Sequence, residues 1–219
     1  MLGSFASSRG DDVLRIYGRT NSVNVQKVMW CIGELALPCE RIDAGMQYGK
    51  NDEEWFLKLN PNGRVPLLQD GAFSLWESNS IVRYLCAKHD FGGLYPANPE
   101  ARAHAERWMD WQLSTLIRPV SIVFVSLIRT PESQRDPQAI AAAAAETEGA
   151  LALLDRHLAA QPFVAGAQFS MGDIPLGATV HRWLELPDVP RRPLPALEAW
   201  RARLAQRPAF RQHVMLPLS

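Results

Sequence analysis

The chain has 219 residues, 47% of them hydrophobic, enough for a sizeable core in one domain or two. Lys plus Arg and Asp plus Glu both number 23, so the formal net charge is +0 and no global field favours nucleic acid or an anionic membrane. No apolar run reads as a membrane span. The three cysteines, Cys31, Cys39 and Cys86, lack CxxC spacing and sit in apolar segments, so they read as buried thiols of a reducing compartment.

In chain order, residues 1–12 are small and polar and read as a flexible extension with no signal-peptide character. Residues 13–17 read as a strand. Residues 24–36 show helical spacing, with Val25, Val28, Met29, Ile32 and Leu35 on one stripe. Residues 39–43 complete a parallel βαβ unit. A loop over 44–52 and a short helix over 53–58 follow. Two apolar runs flank Asp70-Gly71, a hairpin signal, and helical spacing resumes from Ser78 to Lys88. Residues 90–99, rich in Gly and Pro, read as a linker. Only helices are predicted beyond it: a long one over 100–129 bent at Pro119, an alanine-rich one over 136–160 with Pro137 in its first turn, and further helices over 171–186, 195–206 and 208–213. The fold class is therefore an α/β domain of order βαβαββα over 13–89 and an all-α domain over 100–219.

Three segments carry candidate chemistry. Val65-Pro66 ends a turn and enters a strand. Both a cis and a trans peptide suit it, and a cis one would let Val65 offer its backbone to an extended ligand. Glu77-Ser78 precedes a helix whose free N–H groups suit a ligand carboxylate, with Glu77 suited to an ammonium; a plain helix cap is the bland alternative. Ser22 lies in the loop after the first strand, where α/β folds gather sites, and a helix cap is again the alternative. No His or Asp stands near Ser22 in sequence, which leaves a serine nucleophile unsupported. The five histidines lack metal-ligand spacing, so no metal is expected.

Taken together, Asn62-Gly63-Arg64-Val65-Pro66, the segment from Glu77 to Leu85, and Ser170-Met171-Gly172-Asp173-Ile174 resemble the cytosolic glutathione transferases, in the theta-like, bacterial serine-type class. The resemblance implies a thioredoxin-like N-terminal domain that binds glutathione as co-substrate, with no prosthetic group. It implies Ser22 as the catalytic hydroxyl at the glutathione sulfur. Tyr17 lies inside the strand and suits the tyrosine classes poorly, and no cysteine stands at the Ser22 position. Asn24, Lys50, Arg64, Val65, Pro66, Glu77 and Ser78 are the implied glutathione contacts, with Lys50 and Asn51 at the glycyl carboxylate. Trp108, Trp111, Gln112 and Phe124 are candidates for the electrophile pocket, where core packing competes as an explanation. Ser170 and Asp173 form a structural capping box. The implied protein is a cytoplasmic homodimer active in detoxification, joining glutathione to a small hydrophobic electrophile or reducing a peroxide. A glutathione-dependent disulfide reductase and a non-enzymatic binding protein of the same fold are the alternatives.

Overall fold

The computed structural model of the protein describes residues 13–219; the extension read over 1–12 lies outside them. Strands β1 (Leu14–Tyr17), β2 (Cys39–Ile42), β3 (Leu67–Asp70) and β4 (Phe73–Trp76) form one sheet in the order β2-β1-β3-β4. β1 and β2 are parallel, joined through α1 (Val23–Glu34), while β3 runs antiparallel to both β1 and β4. The β3–β4 hairpin turns at Gly71, whose φ of +58° suits a residue without a Cβ. With α2 (Glu54–Leu59) and α3 (Ser78–His89), the order is βαβαββα, as the sequence predicts.

α1 is not a one-sided helix. Val23, Val25, Gln26, Lys27, Val28, Trp30, Cys31 and Ile32 are all buried, because α3 packs on one side and two later helices, α7 (Asp173–Leu184) and α9 (Pro208–His213), on the other. Of the predicted stripe, Val25, Val28 and Ile32 are buried and Met29 and Leu35 only partly so, and the stripe leaves Val23, Gln26, Lys27, Trp30 and Cys31 unaccounted for. Cys31 and Cys86 meet in this core with their sulfurs 3.5 Å apart, and their mutual hydrogen bond and burial push the Cys31 thiol up. Burial likewise raises Cys39 to about 11, so Cys31 and Cys39 stay protonated at neutral pH.

The long helical run has more structure than a bend at Pro119. α4 (Pro99–Trp111) passes into a π-helical turn, Gln112–Leu116, then α5 (Ile117–Phe124), then a second π-helical turn, Val125–Arg129. Pro119 has no N–H to give, and the π turn re-registers the hydrogen-bond ladder just before it. By length and composition alone this 31-residue run, Pro99–Arg129, is long and apolar enough to cross a membrane, although Asp110, Gln112 and Arg118 interrupt its apolar stretch. Its buried side, including Ala105, Met109, Leu116, Val120 and Val123, packs on α6 (Pro137–Leu158) and α7 within the helical domain. α6 opens as predicted, with Pro137 in its first turn and the Asp136 carboxylate accepting from the N–H groups of Gln138 and Ala139.

At the start of α7 the Asp173 carboxylate is fully buried and accepts from Ser170 N–H (3.0 Å), Val164 N–H (3.0 Å) and Trp200 Nε1–H (2.9 Å). It thus closes the box on Ser170 and also ties in the 164 segment and α8 (Pro195–Ala205). Burial outweighs these donors and raises its carboxyl to about 6, so the group is still ionised at neutral pH.

The two halves share one core. Trp30 of α1 stacks edge-on to Phe210 of α9 at 4.7 Å, and Glu34 takes two hydrogen bonds from Arg207, at 2.9 and 2.6 Å. α7 approaches α1 closely enough that a Cβ added at Gly177 would lie 2.8 Å from the Trp30 ring.

Candidate active site

A cleft of about 500 Å³ opens where β1, β3 and the first turns of α1 and α3 come together. Ser22, Asn24, Arg64, Val65, Pro66, Glu77 and Ser78 all line it, so seven predicted site residues meet in one cavity.

Ser22 occupies the N-cap position of α1, yet its side chain makes no capping bond. Its backbone does the structural work: its carbonyl accepts from Gln26 N–H at 2.9 Å. The hydroxyl is left for the cleft, beside the positive end of a twelve-residue helix. Tyr17, by contrast, donates its phenol to Gln69 Oε1 at 2.8 Å and packs against Trp55.

The loop opposite is rigidly built. Asn60, almost wholly buried, donates to the Arg64 carbonyl at 2.6 Å and accepts from Asn62 N–H at 3.1 Å. Asn51 donates to the Gly63 carbonyl at 2.8 Å. The Val65–Pro66 peptide is cis, and among the described residues Val65 makes no backbone hydrogen bond, so its N–H and C=O are available to an extended ligand. At the third wall Glu77 sits at φ +70°, a left-handed conformation held by its surroundings, and opens α3 without a side-chain cap. The first N–H groups of α3 therefore face the cleft with the Ser78 hydroxyl, which donates to Asn24 Oδ1 at 3.3 Å.

Beneath this wall lies a group that sequence periodicity did not single out. Lys27 is fully buried and donates to Asn24 Oδ1 (2.9 Å) and Gln112 Oε1 (3.0 Å). Gln112 in turn donates to Thr179 Oγ1 at 3.0 Å, so a polar chain runs from Ser78 through Asn24, Lys27 and Gln112 into α7. Burial brings the Lys27 ammonium down to about 7; the nearby Glu77 carboxylate opposes that shift and Arg182 adds to it. The available signal was a lone lysine among apolar residues on a helix with no acid before Glu34.

Other predicted residues stand elsewhere. Lys50 donates its ammonium to the Asp43 carbonyl at 2.9 Å and does not line the cleft. Trp108 is buried against Trp111 and His157, at ring distances of 5.2 and 4.6 Å, and Gln112 belongs to the polar chain. Phe124 is buried under two guanidinium groups. None of these four candidates for the electrophile pocket lines the cleft. Arg19, Met46 and Trp76 do, although no motif marked them.

The architecture and the sequence have clear relatives. Residues 16–98 match the glutathione S-transferase N-terminal domain and residues 137–203 the C-terminal domain of the same proteins. Glutathione S-transferase GstB of Escherichia coli is 41% identical over 209 residues, covering 94% of this chain and all of the relative. Human glutathione S-transferase theta-1 is 34% identical over 134 residues, 58% of this chain and 55% of that one. The crystal structure of a theta class glutathione S-transferase from Xanthomonas axonopodis pv. citri with glutathione bound superposes with a TM-score of 0.92 at 47% identity, covering 95% of this chain and all of that one. By fold, by cleft and by sequence, the chain belongs to the glutathione S-transferase family.

Proposed function

We infer that the protein is a glutathione transferase in which Ser22 holds the co-substrate's sulfur as a thiolate. The observation that carries this reading is Ser22, which lines the cleft at the head of α1 with its hydroxyl free of any capping bond. In the proposed complex the γ-glutamyl carboxylate rests on the first N–H groups of α3 and on Ser78, and its ammonium pairs with Glu77. Val65 pairs with the cysteinyl backbone as an added strand would. Arg64 lines the cleft and suits the glycyl carboxylate, with Asn51 beside it. Lys50 reaches a ligand only by releasing the Asp43 oxygen.

The chemistry needs only modest energy. A free thiol titrates near ~8.5, and the thiolate is the nucleophile. Lowering that value by about two units takes ~2.7 kcal/mol of differential stabilisation. A hydrogen bond from a neutral hydroxyl to an anion supplies ~1.5–3 kcal/mol, and a helix N-terminus a further ~0.3–1 kcal/mol. Ser22 keeps its own proton throughout. The thiolate then attacks an electrophilic carbon or a peroxide oxygen. No cysteine lines the cleft, so a mixed disulfide with the protein has no partner there. The functional unit of the reading is a homodimer, and sedimentation at micromolar concentration tests it.

The decisive measurement is the ultraviolet absorbance of bound glutathione thiolate as a function of pH. Wild type is expected to show the thiolate well below the free thiol's range, and Ser22→Ala to lose it while still binding. An unchanged titration removes Ser22 from the mechanism. Turnover of hydroxyethyl disulfide in place of carbon electrophiles would favour the reductase, and binding without thiolate formation a non-enzymatic role.

A further inference from the structure

The buried Lys27 settles which way two side-chain amides face. As an ammonium it only donates hydrogen bonds, so both neighbours must turn their oxygens toward it. Gln112 presents Oε1 at 3.0 Å and gives its own Nε2–H to Thr179 Oγ1, which anchors the lysine to α7. Asn24 presents Oδ1 at 2.9 Å. Asn24 lines the cleft, and with Oδ1 turned in on Lys27, Nδ2 is the end of the amide left for the cleft. That Nδ2 makes no hydrogen bond among the described residues.

Asn24 Oδ1 has a second donor, the Ser78 hydroxyl at 3.3 Å. A hydroxyl carries one proton, and in the reading above Ser78 gives it to the γ-glutamyl carboxylate. Once glutathione has taken that proton, Oδ1 keeps one donor among the described residues, Lys27. The same contact says where the outer end of the amide stands. Oδ1 lies beside Ser78 Oγ, so Nδ2, on the same carbon, is within reach of an anion seated on Ser78. An apolar side chain would fill the dry space of Lys27 without the desolvation cost of an ammonium, but it would offer neither amide a donor.

Resting on the transferase reading, we propose that Lys27 is a positioning residue for glutathione: it holds the Asn24 carboxamide with Oδ1 inward, so that Nδ2 donates to the γ-glutamyl carboxylate beside Ser78. The selectivity this gives is for the carboxylate at that end of the ligand, since an amide N–H bonds an anion more strongly than a neutral group. Through Gln112 and Thr179 the helical domain thereby helps to set which co-substrate the other domain accepts.

The test compares glutathione with γ-aminobutyryl-cysteinyl-glycine, which lacks only that carboxylate, and reads the ratio of their Kd values by calorimetry. Wild type is expected to prefer glutathione, and a wild type without that preference overturns the proposal. Lys27→Met and Asn24→Ala are each expected to lower the preference about tenfold, the worth of one charge-assisted hydrogen bond. The double variant is expected to lose no more than either single one, because Lys27 acts through Asn24. A role in packing alone would weaken both ligands alike; a preference unmoved by Lys27→Met, or losses that add in the double variant, overturns the proposal. Bound glutathione is expected to keep its thiolate titration in Lys27→Met, and a shifted titration would put Asn24 at the sulfur instead. Where Lys27→Met does not fold, the Asn24 side-chain amide resonance of wild type, identified by its loss in Asn24→Ala, decides. A shift on adding glutathione that the analogue does not produce upholds the proposal, and the same response to both overturns it. A wild type that binds glutathione with this preference yet turns over no electrophile sinks the transferase reading alone.

Discussion

Lys27 holds a charge in a place that penalises it, and the sign of its pH dependence follows. Its ammonium titrates near 7 in the folded chain and near ~10.4 when unfolded. Between these values the unfolded state binds more protons, so stability rises with pH across that window, by up to ~1.4 kcal/mol per unit. Denaturant melts at pH 7 and pH 9 are expected to show this rise in wild type and a flatter profile in Lys27→Met. Equal slopes in the two proteins would refute the assignment. Lys27 also shows where sequence reading stops. Ser22, Val65 and Glu77-Ser78 were legible because each stands at a loop or helix start with its own local chemistry. Lys27 takes its meaning from Gln112, 85 positions away, and helical periodicity gives no view of such a partner.

At the scale of elements, the capping box of α7 and the seat of α7 on α1 make separate predictions. Asp173→Ala leaves the Val164 and Ser170 N–H groups and the Trp200 indole N–H without their acceptor in a dry site. Each orphaned donor costs ~1–3 kcal/mol. A loss of ~3–5 kcal/mol is expected, lowering Tm by roughly 10 °C for a chain of this size. Glutathione affinity of the protein that remains folded should be unchanged; an unaltered melt with lost turnover would reverse the assignment to structure. Gly177→Ala places a methyl 2.7 Å from Leu204 Cδ1 and 2.8 Å from Trp30 Cζ3. Overpacking of this kind costs ~1–3 kcal/mol, readable in the same melt, and a variant as stable as wild type would show that α7 can give way. The box itself was readable from four residues in a row. The π-helical turn at Gln112–Leu116 was not: Pro119 signals a break in the ladder, and only packing against α6 and α7 decides whether the helix kinks or re-registers.

For the whole molecule, the linker read over 90–99 suggests two parts, while the side chains form one core from Leu14 to Val214. Trp30, Lys27 and Glu34 on α1 all find partners in the helical part. Unfolding is therefore expected as one transition, with tryptophan fluorescence and far-ultraviolet circular dichroism coinciding; separated midpoints would show that the halves melt independently. The same sharing limits how such a protein can change over time. A 13–89 segment transplanted onto another helical partner would turn the Trp30 indole and the Lys27 ammonium toward surfaces never shaped for them. Segments on either side of the linker must therefore be inherited together, and the visible joint in the chain is not a place where it can be recombined.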